Sequence, residues 1–271
     1  MIVLLPERGV LELGGEDRVA FLQGLVSNDV TQAAPGRAVW AAFLTPQGKF
    51  LADFFIIAEV DTLLLDCERA QLPDLLARLT RFRLRAKVTL RDASADWHVH
   101  AGWGETPEAE IVVPDPRHPQ AGTRVLSRII LSGLADRAAW ERHRIALGLP
   151  DGTRDLEVEK SVLLEAGFDE LGGVSWTKGC YMGQELTART KYRGLLKRRL
   201  VPVRIAGPLP PPGTPVLHGA EEVGSLRSGV AGDPSLAMAL MRLEAMAQDG
   251  LTCDGHKLHI TRPDWMAISA A

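Results

Sequence analysis

A chain of 271 residues, 46% of them apolar, is long enough for two or three compact units with cores of their own, which excludes a disordered or fibrous protein. Its net charge of −3 gives no overall attraction for nucleic acid, so any anionic partner has to be held by a local patch. Three scattered cysteines, Cys67, Cys180 and Cys253, make neither a disulfide framework nor a Cys-x-x-Cys pair, and a reducing compartment is expected.

Leu11 and Leu13 alternate with polar residues and lead through Gly14-Gly15 into a helix predicted from about Asp17 to Val26, with Ala20, Phe21, Leu22 and Leu25 as its buried stripe. Val39 to Leu44 and Phe50 to Ala58 read as two strands of a hairpin, because Thr45-Pro46-Gln47-Gly48-Lys49 between them supplies turn chemistry. A strand at Thr62 to Asp66 precedes a helix from Glu68 to Thr80 bearing Leu72, Leu75, Leu76 and Leu79, with Pro73 either in its first turns or kinking it. Arg81, Arg83, Arg85 and Lys87 then alternate with Phe82, Leu84, Ala86 and Val88, the period of a strand with a basic face. Further strands are predicted at Trp97 to Trp103, Ile111 to Val113 and Arg128 to Leu131. A helix from Leu134 to Leu147 is ended by Gly148 and Pro150. Ala206 to Pro215 holds five prolines and two glycines and reads as a linker, after which short β-like runs from Val216 to Met241 and Leu251 to Ile260 predict a small barrel. Strands mixed with helices without a βαβ repeat give an α+β class.

The chemistry is concentrated in Lys178-Gly179-Cys180-Tyr181-Met182-Gly183-Gln184-Glu185. Gly179 and Gly183 let the backbone turn around the thiol, and Gln184 to Tyr192, free of Pro and Gly, predicts a helix that places Cys180 near its N-terminus. With Lys178 and Arg189 nearby, this is a setting that favours thiolate; a glycine turn around a buried structural cysteine is the plainer reading. Glu185 and Arg189 are spaced for an i,i+4 ion pair. Arg189, Lys191, Arg193, Lys197, Arg198 and Arg199 form a second basic patch, and both patches read either as solvated faces or as sites for a polyglutamylated tail or RNA phosphates. His98 and His100 share a strand face but lack a third ligand, so no metal site is expected. Apolar runs such as Phe54 to Ala58 stop far short of the roughly 20 residues of a membrane span. Met1 to Glu7 lacks both a secretory and a transit pattern, so a cytoplasmic protein is expected.

The motif, its continuation Leu186-Thr187-Ala188-Arg189-Thr190, and Lys197-Arg198-Arg199-Leu200 resemble the YgfZ-type folate-binding proteins, relatives of the aminomethyltransferase (T-protein) of the glycine cleavage system, in the branch of the mitochondrial iron–sulfur cluster assembly factor. Phe21-Leu22-Gln23-Gly24, Asn28-Asp29-Val30, Leu44-Thr45-Pro46-Gln47-Gly48-Lys49, Leu84-Arg85-Ala86-Lys87-Val88 and Gly172-Gly173-Val174-Ser175-Trp176 agree in order, so the resemblance spans nearly the whole chain. It implies a T-protein-like folate-binding region over 1–204, a linker over 205–215 and a C-terminal β-barrel over 216–271. It implies tetrahydrofolate as cofactor, with Asp53 facing the pterin and Glu165, Lys178, Tyr181, Gln184, Glu185, Arg189 and Arg85 as further contacts. Where the T-protein pattern carries Arg-Ile-Glu, this chain has Arg144-Ile145-Ala146, and the missing acid weakens the case for methylene transfer. The expected function is a folate-binding accessory factor for assembly or repair of iron–sulfur proteins, more a maturation factor than an enzyme, with Cys180 as its thiol and iron–sulfur client or assembly proteins as partners. A tetrahydrofolate-dependent aminomethyltransferase, or a factor that binds tRNA for its modification, are the alternatives.

Overall fold

The computed structural model describes residues 1–267. Its first half runs β1 (Ile2–Leu4), β2 (Arg8–Gly14), α1 (Arg18–Gln23), β3 (Val39–Leu44), β4 (Phe50–Ala58), β5 (Thr62–Glu68), α2 (Leu72–Arg83) and β6 (Thr89–Asp92). It continues with β7 (His98–Gly102), β8 (Ile111–Pro114), β9 (Thr123–Ser127), α3 (Arg137–Ala146), α4 (Gly152–Asp155) and α5 (Gln184–Tyr192). The strands form a five-stranded sheet in the order β3-β4-β5-β2-β6 and a four-stranded sheet in the order β1-β7-β9-β8. A closed barrel follows, built from β10 (Arg198–Ile205), β11 (Pro215–His218), β12 (Glu221–Val230), β13 (Ser235–Arg242), β14 (Leu251–Cys253) and β15 (His256–Ile260). The α+β class and the C-terminal barrel are as expected.

β4 explains how the layers meet. Side chains alternate across a strand, so Ala52, Phe54 and Ile56 enter the core shared with Leu11, Leu13, Leu22 and the α2 leucines, while Phe55 and Ile57 enter cores on the opposite face. Burying both faces makes β4 a nearly continuous apolar run, and Asp53 lies within it. In β10 the same period sends Val201, Val203 and Ile205 into the barrel and Leu200 into the central core with Phe168 and Trp40. Arg144 of α3 joins the units: buried, it donates to Glu141, to Asp155 (3.1 Å) and to Ser228 of β12 (2.6 Å).

Three sequence expectations change. The basic alternation of Arg81 to Val88 is not a strand: α2 runs to Arg83, the chain turns at Leu84 (φ 42°), and β6 begins only at Thr89. Leu and Arg are strong helix formers, so the helix whose buried stripe is Leu72, Leu75 and Leu79 continues to Arg83. The strand placed at Arg128 to Leu131 lies earlier, at Thr123–Ser127, and Ile129 and Ile130 of the expected span are exposed. The proline-rich stretch is a connection inside the barrel, since β10 precedes it and pairs with β13 from Arg198 to Ile205 and with β15. The boundary expected at 205–215 therefore falls before Arg198. Residues 268–271 of the expected barrel unit lie outside the described residues.

Candidate functional site: an exposed thiol and a buried carboxylate

The segment around Cys180 is laid along the chain that follows α1. Ser27 Oγ donates to Gly173 O (2.6 Å), Ser175 N to Ser27 O (3.0 Å), Asn28 Nδ2 to Gly172 O (2.7 Å) and Met182 N to Gly24 O (3.1 Å). Lys178 drives its ammonium beneath the segment, donating to Val26 O (2.7 Å) and Asn28 O (2.6 Å), with the Tyr181 ring 5.4 Å away. Tyr181 is buried on the other side of the thiol. Gly179 and Cys180 between them are exposed. The result is a short arch pinned at both feet with the thiol at its crest.

The β3–β4 hairpin supports the arch. A Cβ on Gly48, whose φ is +79°, would stand 2.6 Å from Gly183 O and 2.6 Å from Leu186 Cβ, so a larger residue has no room there. Gly183, left-handed at φ +80°, caps α5, and Gln184 opens the helix as expected. Burial lowers the Lys178 ammonium to about 8, partly opposed by Asp29, and pushes the Tyr181 phenol up to about 12. Both act as anchors. Lys178 is spent on backbone carbonyls and not held out to an anion, and Glu185 and Arg189 form the i,i+4 pair on an exposed face.

Asp53 lies elsewhere. It is 4% exposed, because β4 is covered on both faces, and not half-buried as a strand of one-sided sheet would leave it. Trp40 Nε1 donates to Asp53 Oδ2 (2.8 Å), while the buried Oδ1 has no partner. Burial raises the pKa of this carboxyl, against the pull of Arg8 and Arg117. Asp53 borders a cavity of about 10 Å³ walled by Arg8, Arg117, Arg124 and Phe55, among others. That is room for about one water molecule. The guanidinium groups are themselves engaged: Arg8 Nε and Arg124 Nε donate to the two oxygens of Asp66 (2.7 and 2.8 Å), and Arg117 donates to Asp115 (2.7 Å) and Pro150 O (2.8 Å).

The expected contacts therefore divide. Lys178, Tyr181 and Gln184 gather around Cys180, with Glu185 and Arg189 on the next turns of α5. Glu165 instead pairs with Arg198 (3.1 Å) where the barrel begins, and Arg85 is exposed beyond the end of α2. Ser27, which braces the arch, and the Arg8–Asp66–Arg124 lattice were not anticipated. A lone acid in Leu63-Leu64-Leu65-Asp66-Cys67 was the available signal for the lattice, since a buried carboxylate needs a partner.

Comparison with known proteins agrees with this architecture. The family model for the CAF17 C-terminal beta-barrel domain matches residues 197–268. The chain is similar to the mitochondrial iron–sulfur cluster assembly factor IBA57 of Homo sapiens, 34% identical over a match covering 86% of this chain and 76% of that protein. To IBA57 of Mus musculus it is 31% identical, over 98% and 85% of the two chains. The IBA57 homolog of Mycosarcoma maydis is 38% identical over 76% of this chain, and the match spans 58% of that longer protein. The crystal structure of the glycine cleavage system aminomethyltransferase T from Bartonella henselae aligns with a TM-score of 0.74 over 98% of this chain and 86% of that one; at 13% identity the likeness is one of fold. All three IBA57 relatives are mitochondrial proteins, which overturns the expected cytoplasmic location.

Proposed function

Because the chain belongs to the family of IBA57 iron–sulfur cluster assembly factors, we propose that it serves iron–sulfur cluster assembly through Cys180, which ligates a cluster held jointly with a partner protein. The YgfZ-type label is a related one, and its iron–sulfur branch is the one retained. The observation that carries the reading is the arch: Cys180 is exposed while the residues on either side of it are fastened to the 24–28 segment. A rigid mount presents the thiol outward at a fixed position, which is what a ligand shared across a protein interface requires.

Iron–sulfur clusters are held by several thiolates, typically four. Among the described residues no three His, Cys, Asp or Glu side chains gather as a metal site, and the other two cysteines are buried. The partner supplies the remaining ligands. On binding, the Cys180 thiol gives its proton to solvent and forms one Fe–S bond. Asp53, whose Oδ1 has no partner and which lines a water-sized cavity, has no part in holding the cluster in this reading.

The test is Cys180→Ser in cells lacking the wild-type chain. Iron–sulfur enzyme activities should fall to the level of the deletion while the purified variant melts like the wild type; full activities would sink the proposal.

A further inference from the structure

The basic segment at the end of α2 is left unexplained by the thiol. Arg81 and Arg83 close the helix, Leu84 follows with φ 42° and ψ −107°, and Arg85 comes next. All are exposed, Leu84 at 88%, and Phe82 beside it at 41%. Neighbouring cations have carboxylates: Arg78 pairs with Asp74 (2.6 Å), Arg91 with Glu12 (2.7 Å) and Lys87 with Glu16. Among the described residues Arg81, Arg83 and Arg85 have no such pair. An open groove of about 540 Å³ runs beside them, lined by Gly15, Glu16 and Arg83 to Thr89.

This tip adjoins the mount of the thiol. Phe82 meets Phe43 edge to face with ring centres 6.2 Å apart, at the end of β3. Gly183 of the arch packs against Leu44 and Thr45, the next residues along the same hairpin. Phe43 is also bridged to Val26, whose carbonyl accepts from Lys178.

We infer that the Arg81–Arg85 tip is a docking surface for an acidic protein, whose carboxylates take the three arginines and whose apolar pocket takes Leu84. Guanidinium groups bind carboxylates in a bidentate fork, and Leu84 among them, 88% exposed in a conformation that leucine disfavours, is free to enter an apolar pocket of the partner. RNA phosphates would engage the arginines but give Leu84 nothing to fill. The inference deepens the reading of Cys180, in that it states the chemistry of the partner that meets the thiol.

The full chain, carrying the photo-crosslinker benzoylphenylalanine in place of Leu84, or of Phe82 as a second position, is irradiated in cells whose iron–sulfur enzymes depend on it. The expected result is a nuclease-resistant adduct with a protein of net negative charge. Adding Arg83→Glu with Arg85→Glu should reduce it at least tenfold and lower the iron–sulfur enzyme activities, whereas Cys180→Ser should leave it in place. An adduct destroyed by nuclease, no adduct at either position, or an adduct undiminished by charge reversal overturns the inference. If Cys180→Ser keeps full enzyme activities while charge reversal removes the adduct, the thiol reading fails and the docking surface stands; the opposite pattern fails the surface and leaves the thiol.

Discussion

Cys180 and Asp53 occupy opposite surroundings in one fold. The thiol sits at the crest of an arch, reachable from solvent, with the Lys178 ammonium beneath it tied to backbone carbonyls. The carboxylate faces inward, one oxygen on Trp40 and the other without a partner, beside a cavity of about 10 Å³ and a lattice of arginines and aspartates. The chain shares its fold with an aminomethyltransferase; around Asp53 the arginines are paired with Asp66 and Asp115, while Asp53 Oδ1 itself has no partner. Likeness of fold by itself does not carry a function with it.

Substitutions at the two places should therefore act on different properties. The largest effect is expected for Asp66→Ala, which leaves Arg8 and Arg124 charged and buried without their carboxylate. Removing one member of such a lattice costs about 3–5 kcal/mol, read in urea unfolding, with the alkylation rate of Cys180 in the remaining folded fraction unchanged. If that rate changed in step with stability, the two regions would be one unit.

Lys178→Ala is next. It strips two hydrogen bonds from partly buried carbonyls, at a cost of about 1–3 kcal/mol, and it should also change the alkylation rate of Cys180, because the foot of the arch is freed. Lys178 adds a pH signature. Its ammonium sits at about 8 in the fold, against an ordinary 10.5. Below pH 8 both folded and unfolded chains carry the proton and the fold bears the cost of burying it. Between the two values the unfolded chain binds more protons, so stability rises with pH. Unfolding measured across that window should show the rise in the wild type and a flatter profile in Lys178→Met; parallel profiles would break the assignment.

Asp53→Asn is expected to be mild. Its raised pKa means that the charged form is disfavoured in the fold, so stability contributed by this group falls as pH climbs above the ordinary carboxylate range. The amide keeps an acceptor for Trp40, and urea midpoints at neutral pH should be equal to or above those of the wild type. A large loss would mean that the carboxylate charge is needed by the surrounding arginines. Cys180→Ser should move stability least, within about 0.5 kcal/mol, as exposed substitutions do.

Local chemistry was legible in the sequence and long-range pairing was not. Pro46 and Gly48 announced the hairpin, and the absence of Pro and Gly from Gln184 to Tyr192 gave α5 its limits. The same kind of reading failed at Arg81 to Val88, where an alternating pattern coincided with the end of a helix whose stripe was already in place. It failed at Ala206 to Pro215 because prolines mark a loop without saying whether the strands on either side pair. The exposure of Cys180 and the enclosure of Asp53 depend on Val26, Asn28, Arg117 and Arg124, residues far along the chain that carry no local mark of their roles.

The hydrogen bonds of Lys178 to Val26 and Asn28 span 152 and 150 residues, and that of Ser27 to Gly173 spans 146. Contacts of such sequence separation form late, after the loops they close have been paid for in entropy. A chain still being synthesised or partly unfolded thus has a cysteine but no arch. Its thiol acquires a defined position only when the 24–28 segment is in place, so the placement of Cys180 reports on the integrity of a region more than a hundred residues away.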